Sequence, residues 1–509
     1  MKKSLKIIAL ILSFVILFSS CFRKEPGTED ASSETKIGGE TKRPAQQVDR
    51  VRLPFSLEDS LNPFFLKGVR NISLVPLMFD SLYVIDEKYM PVPSVALEAV
   101  EEGLNIKVIL KEGITFSDSS LLTSADVVYS FHQARLSPSY KTQLSAFSSC
   151  EAAGRYEVRF ALKQPTLSPL SLLDFPIVKQ NTADQSEQVP KGSGRYIYRA
   201  ENGEYLLEPN PSYRENNDIA RTIRLIPIGE SVSPVFILET GELDACFDDL
   251  SSGAVRRADA AQTGAVLNNL VYMGVNSKNY VLSDKAVRNA LSRTILRSDI
   301  STRVYSGNAL PAQAPVNPAK QSYSYFADNI KEGIEVWEEL GYNQFTSGGV
   351  RRGGRGVLSF TLICPSENQF KVQLAKSVAG SLKEAGIKIT VRELTTQQYK
   401  EALNAGNYDL YIGETRLLNN MDLSEFFKAD GALSFGIDPE SPIAKAYFDY
   451  VGGTISESVF CRQFVEESPF IPLVFRMGVL YYSRGIDKEV KPVGASLNVY
   501  ANIHEWNAD

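Results

Sequence analysis

Apolar and polar residues alternate at Leu104, Ile106, Val108 and Leu110, and again at Tyr156, Val158, Phe160 and Leu162. A period of two buries one face of an extended chain, so both runs predict half-buried strands. Tyr196 to Leu207 alternates around Asn202-Gly203. That dipeptide suits a two-residue type I′ hairpin, which needs positive φ at both turn positions. Elsewhere the period lengthens to that of a helix. Thr123-Ser124-Ala125-Asp126 has capping-box spacing and leads into Val127, Val128 and Phe131. Past Ser283, the residues Val287, Ala290, Leu291 and Ile295 share one helical face. Trp337 falls in a helical pattern with Ile334 and Leu340 and reads as a core residue.

The longest ordered set of signals comes late. Val357 to Ile363 is strand-like, and Phe370, Leu374, Val378 and Leu382 then repeat every four residues up to Gly386. Ile387 to Val391 returns as a strand, a helix follows through Tyr399 and Leu403, and Tyr408 to Ile412 closes the run as a strand. This β-α-β-α-β order predicts a right-handed, largely parallel sheet unit. Its first strand leads into Cys364-Pro365-Ser366 and not into a glycine-rich turn, so a dinucleotide site is not expected. Between Asn343 and Gly356, Arg351, Arg352 and Arg355 stand among glycines. A solvated surface loop is the favoured reading there over an anion site.

The beginning of the chain follows neither period. Lys2, Lys3 and Lys6 precede an almost purely apolar run from Ile7 to Phe18. Twelve helical residues reach about 18 Å, short of a bilayer core of about 30 Å. The segment therefore reads as a secretory signal. It ends in Phe18-Ser19-Ser20-Cys21, which resembles a bacterial lipobox and implies acylation of Cys21 after cleavage. From Phe22 to about Gln47 the chain is polar and predicts a tether that cannot offset its own ordering entropy.

The 509 residues suggest about three domains. With 43% hydrophobic and 22% charged residues, the chain is neither disordered nor a polytopic membrane protein. A net charge of −6 gives no general attraction to nucleic acid. Two histidines leave little material for a His-based catalytic or metal site, and no cofactor is expected. Cys150, Cys246, Cys364 and Cys461 are widely spaced, which argues against zinc. Three disulfide pairings are possible, but burial as small apolar residues is the favoured reading. The sequence holds no Gly-x-Ser-x-Gly elbow, no His-Glu-x-x-His and no phosphate-binding Lys loop, so an enzyme is not expected.

Several further segments stand in a fixed order: Ser60-Leu61-Asn62-Pro63, then FSDSS with LTSADVVYSF from Phe116 to Phe131, GSGRY at Gly192 to Tyr196, GELD at Gly241 to Asp244, LSDKAVRNALSRTI at Leu282 to Ile295, and finally YDLYI and PLVF. Together they resemble the oligopeptide, dipeptide and nickel-binding family of extracellular solute-binding proteins. The first is similar to its early Leu-Asn-Pro segment and the second to its signature, with Ser119 where glycine is usual. The resemblance covers Val48 to Asp509. It implies an α/β fold of two hinged lobes with an extra domain on the first. Residues 48–77, 190–272 and 471–509 would form lobe I, 78–189 the extra domain and 273–470 lobe II.

The resemblance also implies a function. A monomeric receptor, anchored by lipid at Cys21 on the extracytoplasmic face of the cell membrane, would close over a short peptide. It would deliver the peptide to the permease of an ABC importer, without nucleic acid or metal. Alternatives within the fold are a nickel chelate, an oligosaccharide or an opine as ligand, or a peptide-sensing role. Lys67, Gly68 and Val69 match the family's strand-pairing segment, and Phe247 and Asp248 match an aromatic and an amide of the cleft wall. Between Gly413 and Phe427 the family's Trp falls on Arg416, its ammonium-binding Asp on Asn419 and a later acid on Asp422. No acid stands at the ammonium position, so Asp422, Glu414 or Asp248 could substitute, or Arg416 could bind a ligand carboxylate.

Overall fold

The computed structural model describes residues 51–506 apart from 187, 216–219 and 487. The signal, the tether and Cys21 lie outside the described residues. The alternating runs found in the sequence build two of the sheets. In the first, Val51–Phe55 runs parallel to Ile223–Pro227, which pairs antiparallel with Glu204–Pro209. Glu204–Pro209 forms a hairpin with Tyr196–Glu201. The turn has φ of 52° at Asn202 and 79° at Gly203, as type I′ requires.

In the second sheet, Ala96–Glu102, Asn105–Leu110, Glu157–Leu162 and Phe147–Gly154 pair antiparallel in that order. Ile106, Val108, Val158 and Phe160 turn inward and meet Phe131 from the helix Ser124–Leu136. That helix begins with the capping box, Thr123 with Asp126. The GSGRY segment has a steric explanation here. A Cβ on Gly192 would lie 2.1 Å from the Met78 carbonyl oxygen, and one on Gly194 would lie 2.4 Å from the Met78 carbonyl carbon. Gly194 N also donates to Met78 O at 3.0 Å. Both glycines are required because another stretch of backbone packs directly on them.

The third sheet has seven strands. Ala245–Asp248, Phe470–Tyr482, Ala261–Val275, Leu410–Arg416, Ser359–Pro365 and Lys388–Leu394 follow in spatial order, and Ala309–Pro311 also pairs with Phe470–Tyr482. Its far side is the parallel unit read from the sequence, with the helices Gln369–Glu384 and Thr396–Ala405 as crossovers. Its centre is a pair of long antiparallel strands of 15 and 13 residues. Phe470–Tyr482 pairs with Ala309–Pro311 through residues 474–476 and with Ala245–Asp248 through residues 479–482. One strand therefore serves two different neighbourhoods.

The glycine- and arginine-rich stretch departs from expectation. It folds into a small sheet of Gln344–Phe345, Arg351–Gly353 and Gly356–Val357. Arg351 is buried: its guanidinium donates to the carbonyls of Ala385 at 2.7 Å and Tyr342 at 2.9 Å. The C-terminal carbonyls of the helix Gln369–Glu384 need donors, and this side chain supplies one. Arg355 pairs with Asp284 at 3.0 Å, while Arg352 is solvated. Trp337 is fully buried, with Nε1 donating to Thr294 Oγ1 at 2.9 Å. Cys150, Cys246, Cys364 and Cys461 are free and buried, and burial pushes all four thiols up, that of Cys364 to about 11.

Replacing Gly194 with Ala forces the backbone of Met78 away. Overpacking of this kind costs about 1–3 kcal/mol, and urea unfolding followed by circular dichroism will show the loss as a lower midpoint with an unchanged slope.

Candidate functional site

A cavity of about 620 Å³ opens where five groups of residues converge. Its wall draws on residues 72–94, 139–143 with 174–176, 195–215, 416–419 and 495–504. Strand geometry fixes the part that carries Arg416. Leu410–Arg416 is laddered to Ala261–Val275, with Arg416 opposite Asn269. The chain beyond it is held by Asn268, whose backbone carbonyl accepts from Leu417 N at 2.9 Å and whose Nδ2 donates to Leu418 O at 2.7 Å. The Arg416 side chain is exposed into the cavity and, among the described residues, has no ion pair or side-chain hydrogen bond.

The same wall holds a carboxylate that sequence reasoning missed. Asp174 accepts from Gln143 Nε2 at 2.8 Å and from Asn419 Nδ2 at 2.8 Å, and Ser496 Oγ donates to it as well. Asn419 Nδ2 also lies 3.0 Å from Ser496 Oγ. Three segments remote in sequence thus meet on one carboxyl group. Burial raises the Asp174 carboxyl above its ordinary value; hydrogen bonds from Ser496 and Gln143 and the charge of Arg416 offset part of that rise. The one signal in the sequence was an acid set inside an apolar run, Leu172-Leu173-Asp174-Phe175. The same signal marks Asp80, also on the cavity wall, which pairs with Arg214 at 2.6 Å and accepts from Ser193 Oγ at 2.8 Å.

Of the residues singled out from sequence, Arg416 and Asn419 line this cavity together. Lys67, Gly68 and Val69 stand apart from it. The amides of Lys67 and Gly68 donate to the Asp59 carboxylate at 3.1 Å and 2.8 Å, and Val69 opens the short helix Val69–Ile72. Asp422 is occupied locally: it accepts from Ser424 N at 3.0 Å, Ser424 Oγ at 2.8 Å and Tyr447 OH at 2.5 Å. Phe247 and Asp248 lie on the strand that joins the long Phe470–Tyr482. The Phe247 ring fills the space above Gly478, where a Cβ would sit 2.3 Å from it. Asp248 accepts from Leu250 N at 2.8 Å, and burial raises its carboxyl.

Glu414 belongs to a second polar group nearby. It accepts from Arg476 Nε at 2.9 Å and Asn269 Nδ2 at 3.0 Å, and Lys371 Nζ lies 3.6 Å away. Burial would raise its carboxyl, but the charges of Arg476 and Lys371 outweigh burial and lower it.

Known proteins resemble this chain in sequence and in fold. The family described as bacterial extracellular solute-binding proteins, family 5 (middle), matches residues 75–429. The oligopeptide-binding protein AppA of Bacillus subtilis is 25% identical over 439 residues, covering 80% of this chain and 79% of that protein. An ABC transporter substrate-binding protein from Sinorhizobium meliloti superposes with a TM-score of 0.74 at 18% identity, over 89% of this chain and 99% of that one. NikA from Brucella suis, solved in complex with Fe(III)-EDTA, gives 0.68 at 17% identity, over 90% of this chain and 100% of its own. These likenesses in fold are to two-lobed periplasmic binding proteins.

The raised Asp174 carboxyl fixes a sign. A group with a raised folded-state pKa contributes stability below its unfolded value, here 3.8, and loses that contribution as pH climbs through the raised one. Asp174→Asn removes the titration along with some hydrogen bonding. The stability gap between the native chain and this variant will therefore narrow as urea unfolding is moved from pH 4 to pH 7. A widening gap would place the folded pKa below the unfolded one.

Proposed function

The chain belongs to the bacterial extracellular solute-binding proteins, family 5, and from that premise we propose that it captures short peptides for an ABC importer from a lipid anchor at Cys21. It is a binding component and not an enzyme, as its relatives are. In the proposed division, the described residues of 48–77, 190–272 and 471–509 form lobe I, those of 78–189 the extra domain and 273–470 lobe II. On this division the cavity lies between all three, and closure of lobe II over the other two buries the ligand. The volume of about 620 Å³ fits the usual range for small-ligand sites.

The observation that carries the reading is the Arg416 guanidinium on the cavity wall, which makes no ion pair among the described residues. A free peptide terminus is a carboxylate, and a guanidinium is the side chain best shaped to hold one with two parallel hydrogen bonds. Ligand amides then find acceptors and donors along the wall, since unpaired buried amides would cost about 1–3 kcal/mol each. The name of the Bacillus subtilis relative, an oligopeptide-binding protein, supports the peptide class. The position where the family resemblance expects an ammonium-binding acid is occupied by Asn419, and Asn419 is engaged by Asp174. Selection at this wall accordingly acts on the carboxylate.

Native mass spectrometry of the purified chain identifies the retained ligand, and peptides are expected; a metal chelate or a sugar in their place would overturn the peptide class. Arg416→Ala should weaken peptide capture at least about tenfold by calorimetry, the loss of one charge-assisted pair. Cys21→Ser should release the protein from the membrane fraction and abolish incorporation of labelled palmitate. Continued membrane retention would remove the lipid anchor from the proposal.

A further inference from the structure

Arg416 is one end of a row that crosses three strands. Asn269 stands opposite Arg416 on one side and opposite Arg476 on the other. Directly opposed residues of an antiparallel sheet project to the same face, so both arginines belong to one face. Two strand spacings put their Cα atoms about 10 Å apart. The charge along this face is unbalanced. Glu414 serves Arg476 at 2.9 Å and Lys371 at 3.6 Å, one acid between two cations. Arg416, on the same row, makes no ion pair among the described residues; its charge acts on Asp174, whose carboxyl is already held by Gln143, Asn419 and Ser496.

Arg476 is only 5% exposed, and its Nη1 is buried with no hydrogen-bond partner among the described residues. A buried guanidinium nitrogen without an acceptor is rare and costly. The acid one strand away, Asp248, is a weak counter-ion because burial favours its neutral form. The position in the fold matters as well. Residue 476 is the last on its strand to pair with Ala309–Pro311, three residues before the pairing with Ala245–Asp248 begins. Arg476 therefore stands where Phe470–Tyr482 passes from one neighbouring strand to the other.

We propose that the ligand is an acidic peptide carrying two carboxylates, one held by Arg416 and the second by Arg476 with Lys371. The proposal rests on the peptide-receptor reading above. A peptide with a single free carboxylate satisfies one of the two under-neutralised sites; a second carboxylate supplies the missing acceptor to Arg476 and the missing negative charge to Lys371. The separation of about 10 Å corresponds to about three extended residues, which sets the acidic side chain two to three positions before the C-terminus.

The test uses the full chain and four tetrapeptides with free C-termini: Glu-Ala-Ala-Ala, Ala-Glu-Ala-Ala and their Gln counterparts. Calorimetry should give the Glu peptides at least about tenfold tighter binding than the Gln peptides. Arg476→Met should bring that ratio to about one, whereas Arg416→Ala should weaken both sets and leave the ratio standing. A melting curve checks that Arg476→Met is folded, and if it is not, Lys371→Met should lower the same ratio. Equal binding of Glu and Gln peptides by the native chain would overturn the acidic-ligand proposal and leave the peptide receptor intact. An undiminished ratio in folded Arg476→Met, or in Lys371→Met where it stands in, would do the same. Failure to bind any of the four would remove the peptide reading and this proposal with it.

Discussion

The antiparallel pairing of Ala261–Val275 with Phe470–Tyr482 is the constraint on which the rest of the molecule depends. These strands are separated by some two hundred positions in the chain, yet their ladder runs from Ala261 to Gly274 with two register shifts. On one flank it accepts Leu410–Arg416 and behind that the parallel unit; on the other it accepts Ala245–Asp248. The row from Arg416 through Asn269 to Arg476 exists because this ladder sets the register. A slip of one residue would turn each of those side chains to the opposite face. The register shifts lie between Val266 and Asn269 and between Val271 and Tyr272, on either side of the polar row. Bulges bend and twist a strand locally, so the curvature of the sheet is concentrated beside the residues that carry charge.

Much of the fold was legible in the sequence because local signals and tertiary packing agree. The capping box at Thr123, the turn at Asn202-Gly203 and the four-residue repeat from Phe370 to Leu382 each satisfy a local requirement that no distant contact opposes. Where reading failed, a distant partner decided. Arg351 looked like a solvated charge in a glycine-rich loop, but a helix end more than thirty positions away needed its donors. The start of the strand Ser359–Pro365 falls two residues later than the apolar pattern suggests, because Gly356–Val357 is taken up by a separate small sheet.

The candidate site was legible only in part, for the same physical reason. Arg416 and Asn419 were reached through the family resemblance; Arg416 ends the strand Leu410–Arg416 and Asn419 lies three residues beyond it. Asp174 could not be tied to them, since its partners Gln143, Asn419 and Ser496 come from three separated segments. A lone acid in an apolar run announces that a partner exists without naming it. Resemblance to a family carried the broad function, and two residues that depart from the family pattern, Arg416 and Asn419, are ones the structure brings to the cavity wall. Asn419 gives its amide to Asp174 and so belongs to the scaffold of the wall, whereas the arginines on the sheet face keep donors to spare.

The cavity wall takes side chains from residues 72–94 at one extreme and 495–504 at the other. Stretches so distant along the chain meet only once the long-range sheet pairings are in place. The recognition surface is therefore a product of tertiary structure, and no single helix, strand or hairpin cut from the protein would carry it.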